Sequence, residues 1–108
     1  MCEFDSLYLS DLGYVVHCKK CGVYQVAFAS TMLSLNQQDF DIFCGLVRRK
    51  YEEENMIYSE NAKCVVIPTP AKGVQILLTR KEAENLNSML EEADNEAKAL
   101  SLMSLFNG

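Results

Sequence analysis

The C-terminal part of the chain carries a capped helix pattern that constrains the fold more than any other feature. Thr79 stands three residues before Glu82, which is the spacing of a capping box, where each side chain accepts a hydrogen bond from the other residue's backbone N–H. Apolar residues then follow at alternating spacings of three and four: Ala83, Leu86, Leu90, Ala93, Ala97 and Leu100. This pattern predicts a long amphipathic helix over about residues 80–106, whose apolar seam another element must cover.

Residues 6–35 show the alternation of apolar and polar side chains that is typical of β-strands. Tyr24, Val26 and Phe28 are the clearest case, because residues two apart point to the same face of a strand. Short connections, such as residues 11–13, separate the apolar stretches, and short connections join strands that pair antiparallel. The sequence predicts about four antiparallel strands in this region.

A second helix is predicted directly after these strands. Asn36 is a favoured N-cap residue, and Asp39 stands where a side chain can meet the free N–H groups of the first turn. Apolar residues then repeat along one helical face: Phe40, Phe43, Cys44, Val47 and Tyr51. The acidic run 52–54 opposes the dipole at a helix C-terminus, so we expect this helix to span about residues 37–51.

Two short apolar stretches, 64–67 and 74–78, flank a loop that contains Pro68, Pro70 and Gly73, and this predicts a hairpin. Together these elements predict an α+β fold in a single domain of residues 1–108. We expect an antiparallel sheet of about five or six strands with the two helices, 37–51 and 80–106, packed on one face.

The charge balance argues against several classes of partner. The chain has 10 Lys and Arg against 15 Asp and Glu, so its formal net charge is −5. Its one basic run, residues 48–50, is followed almost at once by the acidic run 52–54. Binding to nucleic acid or to an anionic membrane is therefore disfavoured, because both need a basic face.

The cysteines indicate a reducing compartment. Their number is five, which is odd, whereas a secreted disulfide scaffold usually has an even set. The first residues are acidic and do not resemble a signal peptide. We expect reduced thiols and a cytoplasmic location.

Cys18 and Cys21 form the one motif with distinctive chemistry. Two cysteines three apart, followed by Gly22, resemble one knuckle of a zinc ribbon. A complete site needs a second knuckle, and the other cysteines are isolated, so zinc binding would need help from elsewhere, such as a second copy across a two-fold axis. His17 is a weaker third candidate, because it would point away from Cys18 in a regular strand. A tight turn with reduced thiols is the favoured interpretation.

A thiol oxidoreductase is a further hypothesis for the same two cysteines. Thioredoxin-like chemistry needs a helix that begins at the cysteines, since the helix N-terminus lowers the thiol pKa. Residues 23–28 predict a strand instead, so we rank this hypothesis below metal binding. Hydrolytic chemistry finds no support, because the chain has one histidine and no Gly-x-Ser-x-Gly motif.

The end of the last helix is the candidate interaction surface. A helix of this length presents more apolar surface than a small sheet covers, and residues 100–106 are rich in large apolar side chains. The residues we single out are Leu100, Leu102, Met103 and Phe106. Either these side chains fold back on their own subunit, or they pack on a second copy and form a homodimer.

Three stretches carry a family resemblance. They are the cysteine-containing segment 17–26, the strand-to-helix segment 33–40, and the hairpin 67–79 followed by residues 83–106. In this order they resemble a group of small proteins of unknown function from Bacteroidetes. The resemblance implies a bacterial cytosolic protein with no assigned activity and no functional residues to transfer. The leading hypothesis is therefore a non-enzymatic interaction or accessory domain, with a zinc module second and a thiol oxidoreductase third.

Overall fold

A computed structural model describes residues 3–53 and 65–107. The elements in chain order are β1 (Phe4–Ser10), β2 (Gly13–Cys18), β3 (Tyr24–Phe28), β4 (Thr31–Leu35), α1 (Gln37–Glu53), β5 (Val65–Pro68), β6 (Gln75–Leu78) and α2 (Arg80–Asn107). The α+β class predicted from the sequence is confirmed, and both helices begin at the predicted residues. In the described part of the chain, neither helix combines the length and the apolar character that crossing a bilayer requires.

The first four strands form an antiparallel meander in the order β1-β2-β3-β4. Val15 pairs with Val26, and Val26 pairs with Leu33, so these three buried side chains line up on one face of the sheet. A register shift lies between Ser6 and Tyr8, at the one buried residue of β1, Leu7. The alternation in the sequence thus correctly identified the face that carries the core.

The prediction of one sheet with five or six strands is wrong. The larger sheet has four strands, and β5 and β6 pair with each other in a separate two-stranded sheet. The hairpin packs instead on the helices, with β5 against α1 and β6 against α2, and its Val65, Ile67 and Leu78 join the common core. Alternating apolar residues specify which face of a strand is buried, but they carry no information about which edge it pairs with.

Helix α1 begins as predicted and ends two residues later than predicted. The Asp39 backbone N–H donates to Asn36 Oδ1 at 2.8 Å, which confirms the N-cap. Phe40, Phe43 and Val47 are buried, as their spacing indicated. The helix continues to Glu53 despite the acidic run. Because Glu52 is exposed to solvent, its repulsion with the helix dipole is screened and too weak to end the helix earlier.

Helix α2 begins at the predicted capping box. The Glu82 backbone N–H donates to Thr79 Oγ1 at 3.0 Å, and the Thr79 N–H donates to Glu82 Oε1 at 2.9 Å. Its 28 residues extend about 42 Å at the usual rise per residue. The core residues on this helix are Ala83, Leu86, Met89, Leu90 and Ala93. Ala97 and Leu100 are half-buried and pack against the edge of the core, so the covered part of the helix ends near Leu100.

Candidate functional site

The predicted cysteine motif forms the turn between β2 and β3. The Gly22 backbone N–H donates to the Cys18 carbonyl at 2.9 Å, and the Cys18 N–H donates to the Val23 carbonyl at 2.8 Å. The Cys21 N–H points at the Cys18 sulfur, with nitrogen and sulfur 3.5 Å apart. Gly22 has a φ of 78°, a conformation that glycine adopts without strain. The chain therefore folds tightly around the Cys18 sulfur.

The two cysteines differ in their exposure to solvent. Cys18 is completely buried, with a relative exposure of 0%, whereas Cys21 is exposed. Lys19 and Lys20 lie between them and pair with Asp5 at 3.5 Å and Glu3 at 3.7 Å. The turn thus holds one buried and one exposed sulfur beside two partly screened positive charges.

His17 lies on the other face of the sheet from Cys18. It pairs across the strands with Tyr24, on the face that carries the core, and the two ring centroids are 4.3 Å apart. The structure does not bring His17 together with the two cysteines. In residues 3–53 and 65–107, no group of three or more His, Cys, Asp or Glu side chains is arranged to hold a metal ion.

No helix begins at the cysteine turn. Residues Tyr24–Phe28 form β3, as the sequence predicted. A thioredoxin-like site needs the N-terminus of a helix beside its cysteines to lower a thiol pKa. That arrangement is not formed by the residues on either side of Cys21.

A groove that sequence reasoning missed lies between the sheet and the distal half of α2. Its volume is about 680 Å³. Its floor is Asp5, His17 and Tyr24, neighbours on three adjacent strands. Its walls are the first turns of α1, with Gln37 and Asp41, and the α2 residues Asp94, Ala97, Lys98, Leu100, Ser101 and Ser104. The α2 side chains that line the groove are mostly small or polar, and they follow Ala93, the last fully buried residue of the helix.

The floor of the groove is rigidly supported from the core. The Tyr24 ring stacks on Phe40 with centroids 4.1 Å apart and planes only 3° apart. The Tyr24 hydroxyl donates to Gln37 Oε1 at 2.7 Å, and Gln37 Nε2 donates to Asp41 Oδ1 at 3.1 Å. Burial raises the pKa of Tyr24, although the hydrogen bond to Gln37 acts in the opposite direction. Tyr24 therefore stays neutral and acts as a fixed hydrogen-bond donor.

The charges of the groove are largely compensated within it. Lys98 lies 2.9 Å from Asp94, and this hydrogen bond raises the pKa of Lys98. Lys19 lies 3.5 Å from Asp5 at the other end. A groove of this size can hold a small polar molecule. Its residues come from five separate elements, β1, β2, β3, α1 and α2, so no single stretch of the sequence indicated it.

The predicted interaction residues differ in what surrounds them. Leu100 is half-buried and packs against the core, so it belongs to the covered part of α2. Leu102, Met103 and Phe106 are 59%, 56% and 85% exposed, and Leu105 is 77% exposed. The end of the helix thus presents four large apolar side chains to solvent.

Comparison with known proteins identifies a family but no activity. A family model described as "Family of unknown function (DUF6686)" matches residues 1–106, and the chain therefore belongs to that family. No curated protein matches the chain. No solved structure matches it either.

Proposed function

We propose that this member of a family of unknown function is a non-enzymatic interaction domain that self-associates through the end of α2. The observation that carries the proposal is the exposure of Leu102, Met103, Leu105 and Phe106, which we call the terminal patch. We further propose that the protein acts in a bacterial cytoplasm. Its odd number of cysteines and its resemblance to small Bacteroidetes proteins support this location.

The terminal patch faces away from the protein's own sheet. At about 100° per residue, Leu102 is rotated by about 200° from Leu100, the last residue of the covered seam. Phe106 follows Leu102 by four residues and so lies on the same side of the helix. Closing the groove would bring Ser101 and Ser104 towards the sheet, and it would leave Leu102 and Phe106 in solvent. In the described part of the chain both side chains are more than half exposed, which leaves them available to a partner molecule.

A second copy of the chain is the partner that fits the terminal patch. After Lys98 the helix contains no charged side chain, although the chain as a whole carries a net charge of −5. Two such ends can therefore pair about a two-fold axis without bringing like charges together, while other contacts between acidic copies are repulsive. Four side chains form less than a standard interface of about 800 Å² per partner, so we expect association in roughly the micromolar range.

Sedimentation equilibrium over a range of protein concentrations tests this proposal. The wild-type protein should pass from monomer to dimer as its concentration rises. The double variant Leu102→Ser and Phe106→Ser should remain monomeric, and circular dichroism should show that α2 is retained.

Leu9→Ser is the matched control. Leu9 is 78% exposed, but it lies on β1 and is not part of the terminal patch. This variant should dimerise like the wild-type protein. A wild-type protein that stays monomeric at all concentrations would contradict the proposal, and so would a dimer that is lost in Leu9→Ser but kept in the double variant.

A further inference from the structure

We propose that the groove between the sheet and the distal half of α2 binds a small aliphatic amine in its protonated, ammonium form. The proposal does not depend on self-association, because none of the residues that line the groove belongs to the terminal patch. The hydrogen-bond acceptors, the charges and the apolar surface of the groove all fit this class of molecule.

The hydrogen bonds at the floor of the groove leave acceptor atoms for a ligand. Tyr24 is only 3% exposed, and its one hydroxyl proton is used in the 2.7 Å bond to Gln37 Oε1. Among the described residues, no group donates a hydrogen bond to the Tyr24 oxygen, and only Gln37 donates to the Asp41 carboxylate. A ligand that meets these oxygens has to donate. An ammonium group carries three N–H donors and no acceptor, so it suits them.

The carboxylates of the groove outnumber its ammonium groups and are better enclosed. The charged side chains that line it are Asp5, Asp41, Asp94, Lys19 and Lys98. The side chains of Asp94 and Asp5 are 24% and 30% exposed, whereas those of the lysines that pair with them are 74% and 63% exposed. Each lysine can therefore move its ammonium group into solvent, while the carboxylate stays at the groove.

Lys98 already shows which kind of group the carboxylates accept. Its ammonium nitrogen lies 2.9 Å from Asp94 Oδ2, and this hydrogen bond is the largest cause that raises the pKa of Lys98. An ion pair between exposed side chains is weak. The ammonium group of a ligand can therefore replace that of Lys98 at Asp94.

The thiol of Cys44 reports the sign of the charge on this side of the molecule. Cys44 lines a second pocket, which shares Asp94 and Lys98 with the groove. Burial is the largest cause that raises the pKa of Cys44, and the charges of Asp94 and Asp41 raise it further. Arg48 and Lys98 lower it by smaller amounts. The carboxylates therefore dominate the local potential, which attracts a cation and repels an anion.

The apolar lining of the groove fits an aliphatic chain. Leu7, Ala97 and Leu100 line it from β1 and α2. Leu7 belongs to the hydrophobic core, and the other two pack against that core. The volume of about 680 Å³ is in the usual range for a small-molecule site. A short hydrocarbon chain can cover these side chains while its ammonium group reaches the acceptor oxygens.

Titration of the full-length protein at neutral pH and low ionic strength, followed by nitrogen–proton correlation NMR, tests the proposal. The probes are n-butylamine, n-butanol and butyrate, which are similar in size and differ in charge. n-Butylamine should bind in roughly the millimolar range, as expected of so small a ligand, and shift the amide signals of Ala97 and Ser101. n-Butanol and butyrate should bind at least about 10-fold more weakly, because neither can donate a charge-assisted hydrogen bond from an ammonium group.

Substitutions in the groove should change the affinity for n-butylamine in opposite directions. Asp94→Asn and Asp41→Asn should each weaken binding by about 10-fold, the effect of losing one charge-assisted hydrogen bond. Lys98→Met should strengthen binding by about 2-fold to 5-fold, because it removes the competing ammonium of an exposed ion pair. Glu92→Gln is the matched control. It removes the same charge from an exposed position of α2 that does not line the groove, so binding should not change.

The absence of n-butylamine binding would overturn the proposal, and so would butyrate binding of equal or greater strength. Weaker binding in Lys98→Met would overturn it as well, because the lysine would then hold the ligand. Equal losses in Glu92→Gln and Asp94→Asn would also overturn it, since net charge and not the groove would attract the amine. The variant Leu102→Ser with Phe106→Ser should bind n-butylamine like the wild-type protein, so a failure of self-association leaves this result unchanged.

Discussion

The two halves of α2 have the same backbone structure but opposite relations to the rest of the molecule. In the first half, Arg80 to Ala93, the residues Ala83, Leu86, Met89, Leu90 and Ala93 are all at most 1% exposed. In the second half, 94–107, four of the five large apolar side chains are more than half exposed, and only Leu100 packs against the core. The comparison shows that forming a helix and burying it are separate requirements. The capping box starts the helix, and the chain then propagates it well beyond the surface that covers it.

The difference comes from the side of the helix on which the apolar residues lie. Through Leu100 they follow the seam that faces the sheet and α1. At the next seam position the chain has Ser104, and the large apolar side chains move to Leu102 and Phe106 on the outer side. A helix keeps its backbone hydrogen bonds when its apolar residues move to another side. The side chains on that outer side no longer contact the core and are exposed to solvent.

The largest expected effect is the difference in stability lost when a buried or an exposed leucine of this helix is replaced by alanine. Leu86→Ala removes a fully buried side chain and leaves a cavity, so it should lower the free energy of unfolding by about 3 kcal/mol. Leu102→Ala removes an exposed side chain and should change it by no more than about 0.5 kcal/mol. Urea denaturation at low protein concentration, where the monomer dominates, measures both values.

The dependence of stability on protein concentration gives a second comparison of the variants Leu86→Ala and Leu102→Ala. If the terminal patch binds a second copy, the wild-type protein gains apparent stability as its concentration rises, and Leu102→Ala does not. The loss caused by Leu86→Ala should be present at every concentration. Equal losses in the two variants at low concentration would mean that the second half of the helix is covered within its own chain.

The elements that the sequence predicted well are those fixed by local chemistry. The capping box of Thr79 and Glu82, the N-cap Asn36 and the alternation in β3 each depend on residues within a few positions of one another. The separate hairpin of β5 and β6 could not be predicted, because strand pairing depends on how distant elements meet. The buried face of α2 was predicted from the spacing of its apolar residues. The residue at which this face stops being buried depends on the size of the sheet, which the spacing does not give.

The next expected effect concerns Cys44, which lies on α1 beside the junction of the two halves. Burial, and then the charges of Asp94 and Asp41, raise the pKa of its thiol from its ordinary value to about 12. The folded state therefore holds the proton while the unfolded state releases it near pH 9, so stability should fall as the pH rises from about 9 towards 12. After allowance for solvent screening, this component should reach about 1–2 kcal/mol at pH 11.

Comparison with Cys44→Ala isolates that component. The free energy of unfolding of the wild-type protein should decrease more steeply between pH 9 and 11 than that of the variant. Tyr24, whose pKa is also raised by burial, contributes in the same direction to both proteins and largely cancels in the difference, because the charge of Cys44 is the smallest cause of its shift. Parallel pH profiles would show that the Cys44 thiol is in contact with solvent, and hence that the cover over α2 ends before Asp94.

The candidate sites show why functional chemistry was harder to predict than secondary structure. The Cys18–Cys21 turn was found because its two sulfurs are close in sequence. The groove was missed because Asp5, His17 and Tyr24 meet through strand pairing, while Asp94 and Lys98 arrive from a distant helix. His17 is the one histidine of the chain, but the strand periodicity around it does not show which distant element lies opposite its side chain.

The smallest expected effect is the difference in stability between losing a hydroxyl at the N-cap of α2 and losing one within the helix. Thr79→Ala removes the hydroxyl that accepts the 3.0 Å hydrogen bond from the Glu82 N–H, and N-cap losses of this kind cost about 1 kcal/mol. Ser101→Ala, in the exposed half, removes a hydroxyl that caps nothing and replaces it with the residue of highest helix propensity, so it should not destabilise the protein. Urea denaturation of the two variants measures the difference. If both changes were equally costly, Ser101 would be held by a contact across the groove, and the second half of the helix would be as firmly anchored as the first.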